Sequence, residues 1–99
     1  MADAEIHWPS LDHSPYAGQV WAIEVELTPK AAARTTTIMT GLLHGGPARY
    51  AQVVYLTAPA ARTVVTRTVA GLPAQDRARL AVRDLPATAL GPEPFGPTR

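Results

Sequence analysis

The stretch Val20-Trp21-Ala22-Ile23-Glu24-Val25-Glu26-Leu27-Thr28-Pro29-Lys30 decides how this chain folds. Its first nine residues alternate with period two, the repeat of a β-strand. Trp21, Ile23, Val25 and Leu27 make one wholly apolar face, and Val20, Ala22, Glu24, Glu26 and Thr28 make the other. Side chains two apart on a strand share a face, about 6.6–7 Å from each other. Glu24 and Glu26 therefore point the same way, with an apolar face behind them. Thr28 then reads as an N-cap and Pro29 as the first position of a helix over 29–44.

Working outward, residues 3–8 alternate as well. Asp3, Glu5 and His7 fall on one side, Ala4, Ile6 and Trp8 on the other, which is the pattern of a half-buried strand. Residues 9–19 are rich in turn formers and make a loop. Downstream, Ala31, Ile38, Leu42 and Met39 form the buried stripe of the 29–44 helix, although Thr35-Thr36-Thr37 is poor helix sequence. Gly45-Gly46-Pro47 stops it. Residues 50–57 are apolar on both faces apart from Gln52, which suits a central strand with helices on both sides. A second helix runs over 59–70, with Ala61, Val64, Val65, Thr68 and Val69 inward and Arg62 and Arg67 outward. A last strand covers 79–85.

The order is thus β-β-α-β-α-β: an α/β fold with a mixed sheet and helices packed on it. The first two strands can pair antiparallel through their loop, and the two crossovers favour parallel neighbours. This makes a three-layer fragment, or a two-layer one if a helix is missing. Residues 1–86 form a single domain. Residues 87–99, with Pro92, Pro94, Pro97, Gly91 and Gly96, read as a flexible tail.

Composition narrows the chemistry. The 99 residues hold no cysteine, which removes disulfides, thiolate zinc sites and a thiol nucleophile. No apolar run reaches the roughly 20 residues of a membrane span. No signal-peptide pattern opens the chain, so a cytoplasmic location is expected. Eight of the nine basic residues are arginine, the usage of a GC-rich genome. The formal net charge of +1 is unevenly laid out. Residues 1–26 carry Asp3, Glu5, Asp12, Glu24 and Glu26 and no cation, whereas residues 27–75 carry Lys30, Arg34, Arg49, Arg62 and Arg67 and no acid. An acidic patch beside a basic surface follows.

Asp3, Glu24 and Glu26 carry the case for chemistry. Two carboxylates on one strand face repel each other unless a cation compensates. An antiparallel neighbour can bring Asp3 alongside, and three oxygen ligands suit Mg²⁺ or Mn²⁺. Otherwise the pair is the solvated face of an edge strand. Lys30, four residues past Glu26, is placed to assist the acids or bind phosphate. Arg34, Arg49, Arg62 and Arg67 are candidate DNA phosphate contacts. His7 and Gln52 are lesser candidates near a metal. The three histidines lack zinc-ligand spacing, Ser10 and Ser14 lack a nucleophile elbow, and no glycine loop fits a dinucleotide.

An Asp opening one strand, then Glu24-Val25-Glu26 on the next, then a helix and a further strand, resembles the PD-(D/E)XK nuclease superfamily, the restriction-endonuclease-like fold. Asp3-Ala4-Glu5-Ile6 would be its first motif. The resemblance implies that Asp3 and Glu24 hold the metal, with Glu26 where the superfamily usually has Lys. Over residues 2–72 the chain is also similar to the replication-relaxation family. The similarity lies in Asp-Ala-x-Ile, Trp-Ala-Ile-Glu-Val-Glu-Leu-Thr-Pro-Lys, a helix with Arg34, and Tyr50-Ala-Gln-Val-Val-Tyr-Leu. That family is linked by name to plasmid replication and mobilisation. Its winged-helix region would lie upstream, so this chain reads as an excised C-terminal domain. The resemblance implies a cytoplasmic, actinobacterial nuclease-like domain acting on DNA by Mg²⁺-dependent phosphodiester hydrolysis. The rival expectation is an inactive nuclease scaffold that binds DNA or a partner protein, or dimerises through an exposed strand edge.

Overall fold

The computed structural model describes residues 2–10, 13–45 and 50–86. Arg49 and the 87–99 tail lie outside them. The elements are β1 (Ala4–His7), β2 (Val20–Glu26), α1 (Ala32–His44), β3 (Gln52–Thr57), α2 (Pro59–Ala70), α3 (Ala74–Arg77) and β4 (Leu80–Asp84). The sheet order is β1-β2-β3-β4. β1 runs antiparallel to β2, with Ala4 opposite Ile23 and His7 opposite Val20. β2, β3 and β4 are mutually parallel, which makes the sheet mixed.

The turn into β2 depends on one glycine. Gly18 has φ +78°, a left-handed conformation that side chains disfavour. Its N–H donates to the Trp8 carbonyl at 3.1 Å, while Trp8 N–H donates to the Gln19 carbonyl at 2.9 Å. Trp8, Tyr16 and Trp21 then close the loop as three mutually tilted rings with centroids 5.0 to 5.3 Å apart, the edge-to-face geometry aromatic quadrupoles favour.

α1 begins later than Thr28-Pro29 suggests. Ala31 is its N-cap, with φ −58° and ψ 144° and no side-chain cap. The threonine run is tolerated because each hydroxyl bonds back to a carbonyl four residues earlier. Thr36 reaches Ala32 and Thr37 reaches Ala33, both at 3.0 Å, and Thr35 reaches Ala31 at 3.3 Å. The buried stripe is Thr35, Met39, Leu42 and Leu43. Ile38 is half-buried and Ala31 is exposed. α2 buries Ala61, Val65 and Thr68, with Val64 and Val69 half-buried. α3 is too short to leave a periodic signal in the sequence.

Both crossovers advance across the sheet in the same direction, so right-handed connections put both helices on one side. The core lies there: Ala22, Met39, Leu42, Leu43, Tyr50, Val53, Tyr55 and Val65. The expectation that β3 has helices on both faces is therefore corrected. Val53, Tyr55 and Thr57 are buried, while Gln52, Val54 and Leu56 on the opposite face stay half-buried. The domain is two-layered over the described residues.

This layering also reverses the reading of β2. Its apolar face, Trp21, Ile23 and Val25, is the open one, and Val25 is 38% exposed. Ala22, Glu24 and Glu26 are the buried face. β1, expected to be half-buried, is exposed along its length.

Candidate functional site

The carboxylates sit at the C-terminal ends of parallel strands, the end where open α/β sheets take ligands. Glu24 and Glu26 are 6% and 5% exposed, and β2 is an interior strand. The alternative of a solvated edge-strand face is overturned. Asp3, just ahead of β1, lies against them. Its N–H donates to Glu24 Oε2 at 3.0 Å, and its Oδ2 accepts the Val25 N–H at 2.8 Å. The Asp3 side chain thus continues the β1–β2 ladder one step past Ala4, receiving an N–H that would otherwise lack a strand partner.

Lys30 closes the other side. Its Nζ donates to Glu26 Oε1, an i,i+4 ion pair across the segment between β2 and α1. Residues 29–31 precede the helix and are not helical. Asp3, Glu24 and Glu26 each have one oxygen engaged and one without a hydrogen bond among the described residues.

The charges of the group act on one another. Burial pushes the Glu24 carboxyl up from its ordinary value, the Asp3 N–H partly opposes this, and the charges of Asp3 and Glu26 push it further up. Tyr55, directly across from Glu24 on β3, is fully buried. Among the described residues its hydroxyl has no hydrogen-bond partner. Burial raises its pKa far above the usual phenol range, and the charges of Glu24, Glu26 and Asp3 add to the rise. Sequence reasoning missed Tyr55. The signal was its period-two alternation with Val53 and Thr57, hidden because both faces of that strand read as apolar.

Among the described residues, no three His, Cys, Asp or Glu side chains are grouped closely enough to hold an ion as they stand. The donor type nevertheless suits a hard divalent cation, since the three carboxylates offer oxygen alone.

The lesser candidates separate from this group. Glu5 lies on the covered side, where Tyr50 donates its hydroxyl to Oε2 and His7 Nε2 meets Oε1 at 2.8 Å. The Tyr50 bond and then His7 hold the Glu5 carboxyl below its ordinary value, and the same bond raises Tyr50. His7 is thus occupied by Glu5. Gln52 faces the open side, lining a cleft with Tyr16, Trp21, Val54 and Arg83, away from the acids. His44 pairs with the buried Asp76 at 3.0 Å. Arg79 ties the carbonyls of Leu43 and Tyr50 together.

Of the DNA-contact candidates, Arg62 is engaged by Asp84 at 2.7 Å. Arg34 is exposed on α1, and Arg67 borders a cleft between α1 and α2 with Thr36 and Leu72. No described helix is long and apolar enough to cross a membrane.

Fold and site define a class: over the described residues, a small α/β domain with a mixed four-stranded sheet, helices on one face, and two buried glutamates at a strand end. No protein-family model, curated protein or solved structure matches the chain.

Proposed function

We propose that this chain is a nuclease-like domain of a plasmid or mobile-element replication or mobilisation protein, acting on DNA through Asp3, Glu24 and Glu26 with Lys30 as auxiliary. The supporting observation is the burial of two neighbouring carboxylates on an interior strand, locked to Asp3 through its N–H. A domain this small gains nothing in stability from that arrangement, because buried like charges repel and lose hydration. Mg²⁺ or Mn²⁺ held there would generate a water nucleophile and stabilise charge on a phosphodiester. Asp3, Glu24 and Glu26 are the residues that would hold the ion, and Lys30 would offset negative charge beside it.

The test is Mn²⁺ titration by calorimetry of the protein and its Glu24→Ala variant, with a plasmid-nicking assay. Binding and nicking by the parent, both lost in the variant, are expected. No Mn²⁺ binding by the parent removes the reading.

A second reading has its own observation. The Lys30–Glu26 pair ties the auxiliary lysine to a carboxylate oxygen that would face the ion. It makes the domain a catalytically inactive nuclease scaffold that binds DNA or a protein, or dimerises through the β1 or β4 edge. A salt-dependent DNA shift without cleavage would favour it.

A further inference from the structure

The Tyr55 hydroxyl is the feature of the site that neither the sequence motif nor the fold uses. Its side chain is fully buried and its O–H lacks an acceptor among the described residues. Native proteins rarely bury a hydroxyl without a partner, and each exception calls for an explanation: strain, a catalytic role, or a water or ion that completes the bond. Phenylalanine fills the same space without the orphaned donor. The ring is therefore explained by packing with Val53 and Met39 in the core, and the hydroxyl is not.

Its surroundings name the acceptor. Glu24 is the cross-strand partner of Tyr55 in the parallel β2–β3 register, and both lie on the buried face. Glu24 currently turns one oxygen to the Asp3 N–H and leaves the other without a hydrogen bond. A carboxylate that ligates a metal is itself held by a hydrogen bond from a neighbouring group, which fixes its orientation.

We propose that Tyr55 is a positioning residue: its hydroxyl donates to the Glu24 carboxylate when that carboxylate turns to a divalent cation shared with Asp3. The inference rests on the metal-site reading above. It assigns to Tyr55 a bond that forms only in the loaded state, so the hydroxyl is a liability to the empty protein and an asset to the loaded one.

Tyr55→Phe tests this with two readouts of opposite sign. Thermal unfolding without metal should give the variant a Tm at or above that of the parent, because an unsatisfied buried donor has been removed. Mn²⁺ titration should give the variant a dissociation constant roughly 10-fold weaker. A purely structural hydroxyl would instead lower the metal-free Tm. A variant that is less stable, or fails to fold, overturns the proposal. So does a variant that binds Mn²⁺ as tightly as the parent. If the parent binds no Mn²⁺, the site reading falls and takes this one with it; parent binding with an indifferent variant sinks the Tyr55 assignment alone.

Discussion

The two faces of the sheet are lined by residues that contradict the simplest rule of burial. The face under α1 and α2 holds Glu24, Glu26 and Thr57 beside Ala22, Val53 and Tyr55. The open face presents Ile6, Trp21, Ile23, Val25, Val54 and Leu56. Along β2 the contrast is sharpest, since Val25 at 38% exposure lies between two glutamates at 6% and 5%. Hydrophobicity alone would turn this strand over. It is held by its neighbours: β3 sends Val53 and Tyr55 to the same side as Ala22, and the handed crossovers bring both helices there. A one-residue slip of β2 would exchange the two sets, so the register carries the inversion.

Val53 offers the largest test of that contrast. It is fully buried in the core. Val53→Thr keeps the shape and β-branching but introduces a hydroxyl away from water. The expected loss is about 1–3 kcal/mol in urea unfolding, the usual cost of a buried polar group without a full partner. A neutral result would show that the helix-covered face is not the core.

Glu24 comes next, with the opposite sign. Burial and the charges of Asp3 and Glu26 raise its pKa in the folded state. The native protein therefore holds this proton more tightly than the unfolded chain does. That contribution to stability is complete below the ordinary value of 4.5 and is lost as pH rises through the raised folded pKa. At neutral pH the ionised group works against the fold. Glu24→Gln keeps an acceptor for the Asp3 N–H and removes the charge. Its Tm at pH 7.5 should exceed that of the parent by about 2–4 °C, and the gap should close towards pH 4. An equal or lower Tm at pH 7.5 would mean that Lys30 and the Asp3 N–H fully compensate the charge.

Much of the framework is legible from residues alone. The period-two pattern locates β2, Pro59 and Gly71 bound α2, and the connection lengths give one antiparallel and two parallel pairings. What periodicity cannot supply is the choice of face. Alternation in 20–28 separates Glu24 and Glu26 from Trp21, Ile23 and Val25, but both sets are sterically able to face the helices. The decision is made by residues about 30 positions away on β3. The helix start misleads because Thr28-Pro29 has the chemistry of a cap, yet the helix opens at Ala32 behind an Ala31 cap that makes no side-chain bond. At the site, Asp3 bonds to Glu24 and Lys30 to Glu26, but the three acids are not grouped closely enough to hold an ion as they stand. Tyr55 joins them only through the parallel register, which a single strand does not reveal. The arginines fare less well, because the Arg62–Asp84 contact joins α2 to β4 across 22 positions of sequence.

The smallest effect, and the finest probe of the inversion, belongs to Val25. It is chemically identical to Val53 and sits on the opposite face of the neighbouring strand. Val25→Thr exchanges the same methyl for the same hydroxyl, and threonine suits a strand as well as valine does. At 38% exposure the new hydroxyl reaches water. The expected change in urea unfolding is within about 0.5 kcal/mol, as for surface positions generally. The backbone N–H of Val25 still donates to Asp3 Oδ2, so the link between β1 and the carboxylates is undisturbed. A loss as large as that of Val53→Thr would mean that the apolar face of β2 is covered in solution. Residues that alternate along one strand would then be buried on both sides, as in a parallel sheet with two helical layers. A loss confined to Val53 would leave the helix-covered face, charges included, as the one core of the domain.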